Sequence, residues 1–312
     1  MKVKNIKLLL AETINPKWRY FVDQIDKGIE AKNYLISVNN KENYKYILKI
    51  YSGNNDEELK YEIGLLNELN LNNKEKFFPI IASNIFSFNS HFCILYNYLP
   101  GRILRETDIN SILIKQIAET QARMHKSLMN YQPKHKKVRY SIFDFSFLAI
   151  FLGNKESATY DFLKKETEIL EQESKLYKKI EFQKSIIHED LSPENIIISN
   201  SKIKFIDFGE SHKAEIVSDV ATAIKEIIIN KKGLNEELIR NYLSSYQKII
   251  HLKEDEIQTI PFLIRRRTIF IIAYFINRQK KDKNKQSKKK IDEEIKLLRS
   301  YNKYSYFTRE NL

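Results

Sequence analysis

Two acids and an amide stand at a spacing suited to moving a phosphoryl group. Asp190 and Asn195 lie in Ile186-Ile187-His188-Glu189-Asp190-Leu191-Ser192-Pro193-Glu194-Asn195, and Asp207 follows in Ile206-Asp207-Phe208-Gly209. Phosphoryl transfer needs one carboxylate to orient the attacking hydroxyl, and amide and carboxylate oxygens to hold magnesium on the nucleotide's phosphates. An ordinary Asx-rich turn between strands has a similar composition, so the surrounding elements must decide between the two.

Those elements fit the chemical reading. Ile196-Ile197-Ile198-Ser199 and Lys202-Ile203-Lys204-Phe205-Ile206 flank Asn200-Ser201 and predict a hairpin between the amide and the second acid. Upstream, the first hundred residues read as a small sheet-rich lobe. Tyr34 to Val38 and Tyr44 to Tyr51 predict one strand pair, and Phe86 to Phe88 with Phe92 to Tyr96 predict another. A helix over Glu57 to Leu69 stands between the pairs, with Leu59, Ile63, Leu66 and Leu69 inward and acids at its N-terminal end. Beyond Pro100-Gly101 the pattern is mainly helical. One apolar face joins Ile109, Ile112, Leu113, Ile117, Met124 and Leu128, and a second joins Phe162, Leu163, Ile169, Leu170, Leu176, Tyr177 and Ile180.

The 312 residues are 42% hydrophobic, enough to fill a real core. The longest apolar run, Thr268 to Ile276, is far short of the ~20 residues that cross a bilayer, and the N-terminus lacks a long apolar signal segment, so the expectation is a cytoplasmic protein without a membrane partner. One cysteine, Cys93, forms no internal disulfide and reads as a small buried hydrophobe. The net charge of +13 is concentrated at one end: from Ile264 onward there are fifteen Lys or Arg against five Asp or Glu. Residues 278–290 carry eight bases, one acid and no aromatic, which predicts a solvated, partly mobile loop rather than a nucleic-acid arm.

His188-x-Asp190-Leu191-x-x-x-x-Asn195 followed by Ile206-Asp207-Phe208 resembles the signature of the aminoglycoside phosphotransferase and choline kinase family, relatives of the protein kinases. The resemblance runs from about Lys27 to about Ala221. It implies an α+β, bilobal protein-kinase-like fold: a small antiparallel-sheet nucleotide-binding N-lobe over 1–95, a hinge at 96–101, and a larger, mainly helical catalytic and substrate-binding C-lobe over 102–312. It makes Asp190 the catalytic base or hydroxyl-orienting carboxylate and Asn195 and Asp207 the magnesium ligands. His188 takes a supporting role as a loop anchor. Asp219 stands where the family opens its next helix, as a helix cap or a substrate contact.

Lys49 lies in a predicted strand, where by analogy with kinases its ammonium meets the α and β phosphates, and Glu62, or Glu58 one turn earlier, is its expected partner. No Gly-x-Gly-x-x-Gly occurs among the seven glycines, so the protein kinases' glycine loop is missing, and no Ala-Pro-Glu follows Asp207-Phe208-Gly209, which counts against a peptide platform. In the loop's place stands Gly28-Ile29-Glu30-Ala31-Lys32-Asn33-Tyr34. It resembles the Gly-Ile-Glu-Asn-x-Asn-Tyr of the homoserine kinases, with Ala31 in place of the first Asn, and makes Gly28 and Asn33 nucleotide-binding candidates. Tyr96-Asn97-Tyr98-Leu99-Pro100-Gly101 has the place of the hinge that meets adenine.

The function implied is an ATP- and magnesium-dependent kinase for a small hydroxylated metabolite of homoserine or amino-alcohol type, with GTP as the alternative donor. An antibiotic phosphotransferase and a catalytically weak nucleotide-binding regulator stay open. Arg265, Arg266 and Arg267 either face an anionic acceptor group or are ordinary solvated or capping residues. Oligomeric state leaves no trace in the sequence.

Overall fold

The computed structural model describes residues 3–26, 31–39, 44–51, 56–72, 77–83, 85–88, 91–135, 137, 139, 141–152, 158–200, 202–229, 235–281 and 285–301. The chain divides into two compact units. One comprises Met1–Arg102, Gln132–Lys137 and Ile197–Gly209, and the other Ile103–Tyr131, Val138–Ile196 and Glu210–Leu312.

The first unit opens with helix α1 (Val3–Thr13), then strands β1 (Arg19–Asp26), β2 (Ala31–Asn39) and β3 (Lys45–Tyr51), helix α2 (Asp56–Asn72), and strands β4 (Phe86–Phe88) and β5 (His91–Asn97). The sheet is antiparallel in the order β1-β2-β3-β5-β4. Tyr34, Ile36 and Val38 alternate inward along β2, the period of two that a half-buried strand requires. They meet Ile6, Leu9 and Leu10 of α1 in one apolar cluster. Cys93 is buried in the same cluster, and burial pushes its thiol up to about 12. Asp56, Glu57 and Glu58 sit in the first turn of α2, where the N-terminal dipole favours acids. The inward face of α2 carries Leu59, Glu62, Leu65, Leu66 and Leu69, while Ile63 is half-buried.

The chain continues through β6 (Arg102–Ile103) into α3 (Ser111–Leu128), α4 (Phe147–Leu152), α5 (Ala158–Tyr177) and β7 (Lys184–Ile187). It re-enters the first unit through the hairpin β8 (Ile196–Ser199) and β9 (Lys202–Phe205), and returns to the second with β10 (His212–Glu215). Helices α6 (Ile216–Ala223), α7 (Glu236–Gln247), α8 (Glu254–Ile257), α9 (Ile260–Lys281) and α10 (Lys285–Tyr301) complete it. Asn110 caps α3 by accepting from Leu113 N at 3.0 Å, and Asn235 caps α7 by accepting from Leu238 N at 3.1 Å. The run on from α6 is a π-turn over Ile224–Ile228. Its wider ring is closed where Ile229 N donates to Ile224 O at 3.0 Å.

Three expectations are corrected. Ile112 is 73% exposed and Leu176 74% exposed, because apolar residues lie all round these helices and the packed stripe is narrower than the apolar one; Ile114 takes the inward place instead. Glu210 to Val217 does not pass straight into a helix: His212 to Glu215 form β10, antiparallel to β7. Residues 278–290, expected as a loop, are helical at 278–281 and 285–290, since the charges sit on the ends of two packed helices, α9 and α10. Among the described residues no helix is long and apolar enough to cross a membrane.

Candidate active site

In the second unit a two-strand frame presents the motif loop. β7 ends at Ile187, opposite His212 of β10, so the loop that starts at His188 leaves from a fixed strand end. Glu189 adopts φ 67°, a left-handed conformation that costs a non-glycine residue and must be held by its neighbours. Asp219, fully buried in the first turn of α6, does the holding. Its carboxylate accepts from His188 N at 3.1 Å and Glu189 N at 2.7 Å, and from Gln121 Nε2 at 3.0 Å. Burial alone would raise its pKa; the His125 hydrogen bond, with the charges of His125 and His188, holds it at about 2. An ionised Asp219 only accepts, so His125 Nε2, 3.0 Å away, donates to it, and His125 Nδ1 lies 2.6 Å from the hydroxyl of Tyr246. His188 is itself buried, and its backbone N–H is one of the anchored groups. Asp219 therefore shapes the loop from behind, with no surface for a substrate.

Asp190 projects from this loop with its side chain 44% exposed. Asn195 closes the loop: its Nδ2 donates to Asp190 O at 2.8 Å and to Asp190 Oδ2 at 3.2 Å, which turns the amide oxygen away from the acid. Arg267 of α9 reaches the other oxygen, with a terminal nitrogen 2.7 Å from Asp190 Oδ1. Each of the three adjacent arginines thus has a partner in the protein. Arg266 donates to the carbonyls of Ser141 and Asp144 over the faces of Phe145 and Phe147, and Arg265 pairs with Glu173.

In the first unit Lys49 stands mid-sheet on β3, opposite Asn33 on one side and Ile94 on the other. Its Nζ lies 2.7 Å from Asp207 Oδ1. Burial opposes its charge, but Asp207, Tyr51 and Glu62 together raise its pKa. Glu62 is not its direct partner as expected. That carboxylate is taken by the hydroxyls of Tyr96 at 3.0 Å and Tyr51 at 3.2 Å, which themselves lie 3.1 Å apart. Glu58 lies 3.7 Å from Lys137 Nζ, so of the two acids Glu62 is the one whose charge bears on Lys49.

Asp207 follows β9 with φ 66° and a side chain 51% exposed. Among the described residues the Oδ1 of Asn33 is buried without a hydrogen-bond partner. Gly28 lies outside the described residues. Asn97 N donates to Ile80 O at 2.9 Å and Tyr98 N to Lys45 O at 3.1 Å, fixing the segment that leads to Gly101. Gly101 has φ 140°, and a Cβ there would stand 2.6 Å from Ile198 O, so the glycine is required.

Asn195 and Asp207 each offer an oxygen donor of the hard type that magnesium prefers, and both are partly exposed. Among the described residues no three His, Cys, Asp or Glu side chains form a metal cage. Sequence reasoning missed Arg267's contact with Asp190 and the Gln121, His125 and Tyr246 support of Asp219. A signal for the latter existed: Gln121 and His125 are four apart on the inward stripe of α3, polar where the helix buries apolar neighbours.

The pattern of the phosphotransferase enzyme family, APH, matches residues 22–252. A search of curated proteins gives no match. Among solved structures, the amicoumacin kinase hAmiN in complex with AMP-PNP, Ca2+ and Ami aligns with TM-score 0.72 at 16% identity, covering 99% of this chain and 95% of that one. A microcompartment-associated aminopropanol kinase aligns with TM-score 0.75 at 14% identity, covering 97% and 96%. The choline kinase of Cryptosporidium parvum aligns with TM-score 0.71 at 15% identity, covering 97% of each. At such identities these likenesses establish a kinase-like α+β fold, and the family match over most of the sequence establishes the rest: the chain belongs to the phosphotransferase enzyme family.

Proposed function

We propose that this phosphotransferase moves the γ-phosphoryl group of ATP to a hydroxyl of a small metabolite of the amino-alcohol or homoserine type. The observation that carries the reading is the contact between Lys49 and Asp207, which brings a sheet ammonium to the acid of the Ile-Asp-Phe motif. Lys49 would bind the nucleotide's α and β phosphates, residues 96–101 would seat adenine, and Asn33 would line the nucleotide site beside Lys49. Asn195 and Asp207 would hold magnesium, which supplies charge neutralisation along the phosphates when bound. Asp190 would accept a hydrogen bond from the acceptor hydroxyl and aim its oxygen in line with the leaving group, and would take the proton as transfer proceeds. No covalent intermediate with the protein is needed.

The test is magnesium-dependent ATP consumption over a panel of homoserine, choline, ethanolamine, aminopropanol, sugars and aminoglycosides, with Asp190→Asn as the blank. One acceptor that stimulates wild type and leaves the variant silent supports the reading and names the acceptor. Stimulation by an aminoglycoside alone would move the assignment to antibiotic modification. A thermal shift with MgATP but no stimulation by any acceptor would turn it toward a nucleotide-binding regulator.

A further inference from the structure

Ala223-Ile224-Lys225-Glu226-Ile227 sets two opposite charges side by side among apolar residues. Both belong to the second unit: the Lys225 side chain is 2% exposed and that of Glu226 10%. They fall in the π-turn that extends α6, a local widening that recurs at functional sites and here lets two consecutive side chains turn inward together. Glu226 Oε1 lies 3.2 Å from Lys225 Nζ and 3.5 Å from Arg267 Nε. Lys225 Nζ lies 2.8 Å from Glu294 Oε1 on α10, and Lys290 Nζ lies 3.0 Å from the same oxygen. At the other end Arg267 reaches Asp190 at 2.7 Å, with Glu189 at 4.0 Å.

Six side chains therefore alternate in sign from the motif loop to the C-terminal helix: Asp190, Arg267, Glu226, Lys225, Glu294 and Lys290. Buried ion pairs give back much of their attraction as lost hydration, so stability alone is a weak reason for such a row. Geometry gives a better one. The guanidinium of Arg267 is planar; a terminal nitrogen hydrogen-bonds Asp190, and the charge of Glu226 lies 3.5 Å from its Nε without a hydrogen bond, so the two carboxylates attract it from two sides. Asp190 is in turn gripped on both oxygens, Oδ1 by Arg267 and Oδ2 by Asn195. The direction left open to an incoming hydroxyl is fixed by a row of charges that ends on α10.

We propose that Glu226 and Glu294 are positioning residues for Asp190, acting through Arg267, so that helix α10 belongs to the apparatus that aims the acceptor hydroxyl. The proposal rests on the reading of Asp190 as the hydroxyl-orienting group. Its test combines crystal structures of Glu226→Gln and Glu294→Gln with steady-state kinetics on the acceptor that the panel identifies. In the Glu226→Gln structure the guanidinium of Arg267 should leave its contact with Asp190, and kcat should fall roughly tenfold or more while the KM for MgATP holds. Glu294→Gln should move both in the same direction by less, and Glu226→Asp should restore most of the rate. Arg240→Gln, which breaks an exposed pair with Glu236 in the same unit, is the control expected to leave kcat unchanged. An Arg267 that stays on Asp190 in Glu226→Gln, or a kcat within about twofold of wild type, overturns the proposal. If Glu226→Gln fails to fold, Glu294→Gln, whose neighbour Lys290 is partly exposed, carries the same two readouts. Absence of any acceptor-dependent turnover in wild type counts against the proposed function, whereas the position of Arg267 in the variant structures decides this inference without turnover.

Discussion

Lys49 and Asp207 lie 158 residues apart in sequence and 2.7 Å apart in space. The contact joins a strand of the five-stranded sheet to the residue that follows the β8–β9 hairpin, and both belong to the same compact unit. Its two members differ in setting: the ammonium is mostly enclosed, while the carboxylate is about half in solvent. Losing the lysine therefore leaves Asp207 to water, while buried Glu62 keeps the hydroxyls of Tyr51 and Tyr96.

That asymmetry makes Lys49→Met a clean probe of nucleotide binding. Folding stability should change little, while MgATP affinity should fall roughly tenfold to a hundredfold, the worth of one charge-assisted hydrogen bond. Isothermal titration of wild type and variant measures it. Equal affinities would separate Lys49 from the nucleotide.

Asp190→Asn keeps the shape of the loop, because Asn195 still meets the backbone carbonyl of residue 190 and Arg267 still has Glu226 and Glu189. Turnover should drop on the order of 10²- to 10⁴-fold, the usual reach of a positioned acid or base, with the thermal shift caused by MgATP retained. A variant that turns over at the wild-type rate would remove Asp190 from the chemistry.

Gly101→Ala puts a side chain at φ 140°, against Ile197 and the carbonyl of Ile198. The expected loss is about 1–3 kcal/mol, read as a lower urea midpoint with an unchanged slope. An unshifted midpoint would mean that the chain before β6 relaxes freely.

Asp219 links stability to pH. Its carboxyl sits at about 2, below the ordinary 3.8, so its contribution of about 2 kcal/mol is complete above pH ~4 and disappears as pH falls through ~2. Glu226, which burial would raise but Lys225, Arg267 and Lys290 hold at about 2, adds loss over the same range. In denaturant titrations, wild type should weaken steeply from pH ~4.5 down to ~2. Asp219→Asn should be weaker by about 2–4 kcal/mol at neutral pH and flatter in acid. Parallel curves would show that the carboxylate is not the titrating anchor.

The motif and its hairpin were legible because the residues are close in sequence and their types are constrained: Asp190, Asn195 and Asp207 stand in one short stretch with the hairpin between. The pairing of β2 with β3 and the helix α2 were legible from alternation and from acids at a helix start. Partners brought from far along the chain were not. Arg267 comes to Asp190 from 77 residues away and His125 to Asp219 from 94, and no local pattern encodes such a meeting. Ile112 and Leu176 misled because hydrophobicity states a preference and only packing states which side faces in. The strands β7 and β10 pair across the motif loop and the whole β8–β9 hairpin, with no tight turn between them to announce the pairing.

The dependence of the motif loop on Asp219 also has an order in time. A nascent chain that has emerged as far as Asn195 holds every residue of the loop, but the carboxylate that bends Glu189 into its left-handed conformation is still unmade. The loop acquires its shape only once α6 is translated and docked on Gln121 and His125 of a helix finished almost a hundred residues earlier. Synthesis therefore delivers the chemistry before its scaffold, and an interrupted product would carry the motif without its geometry.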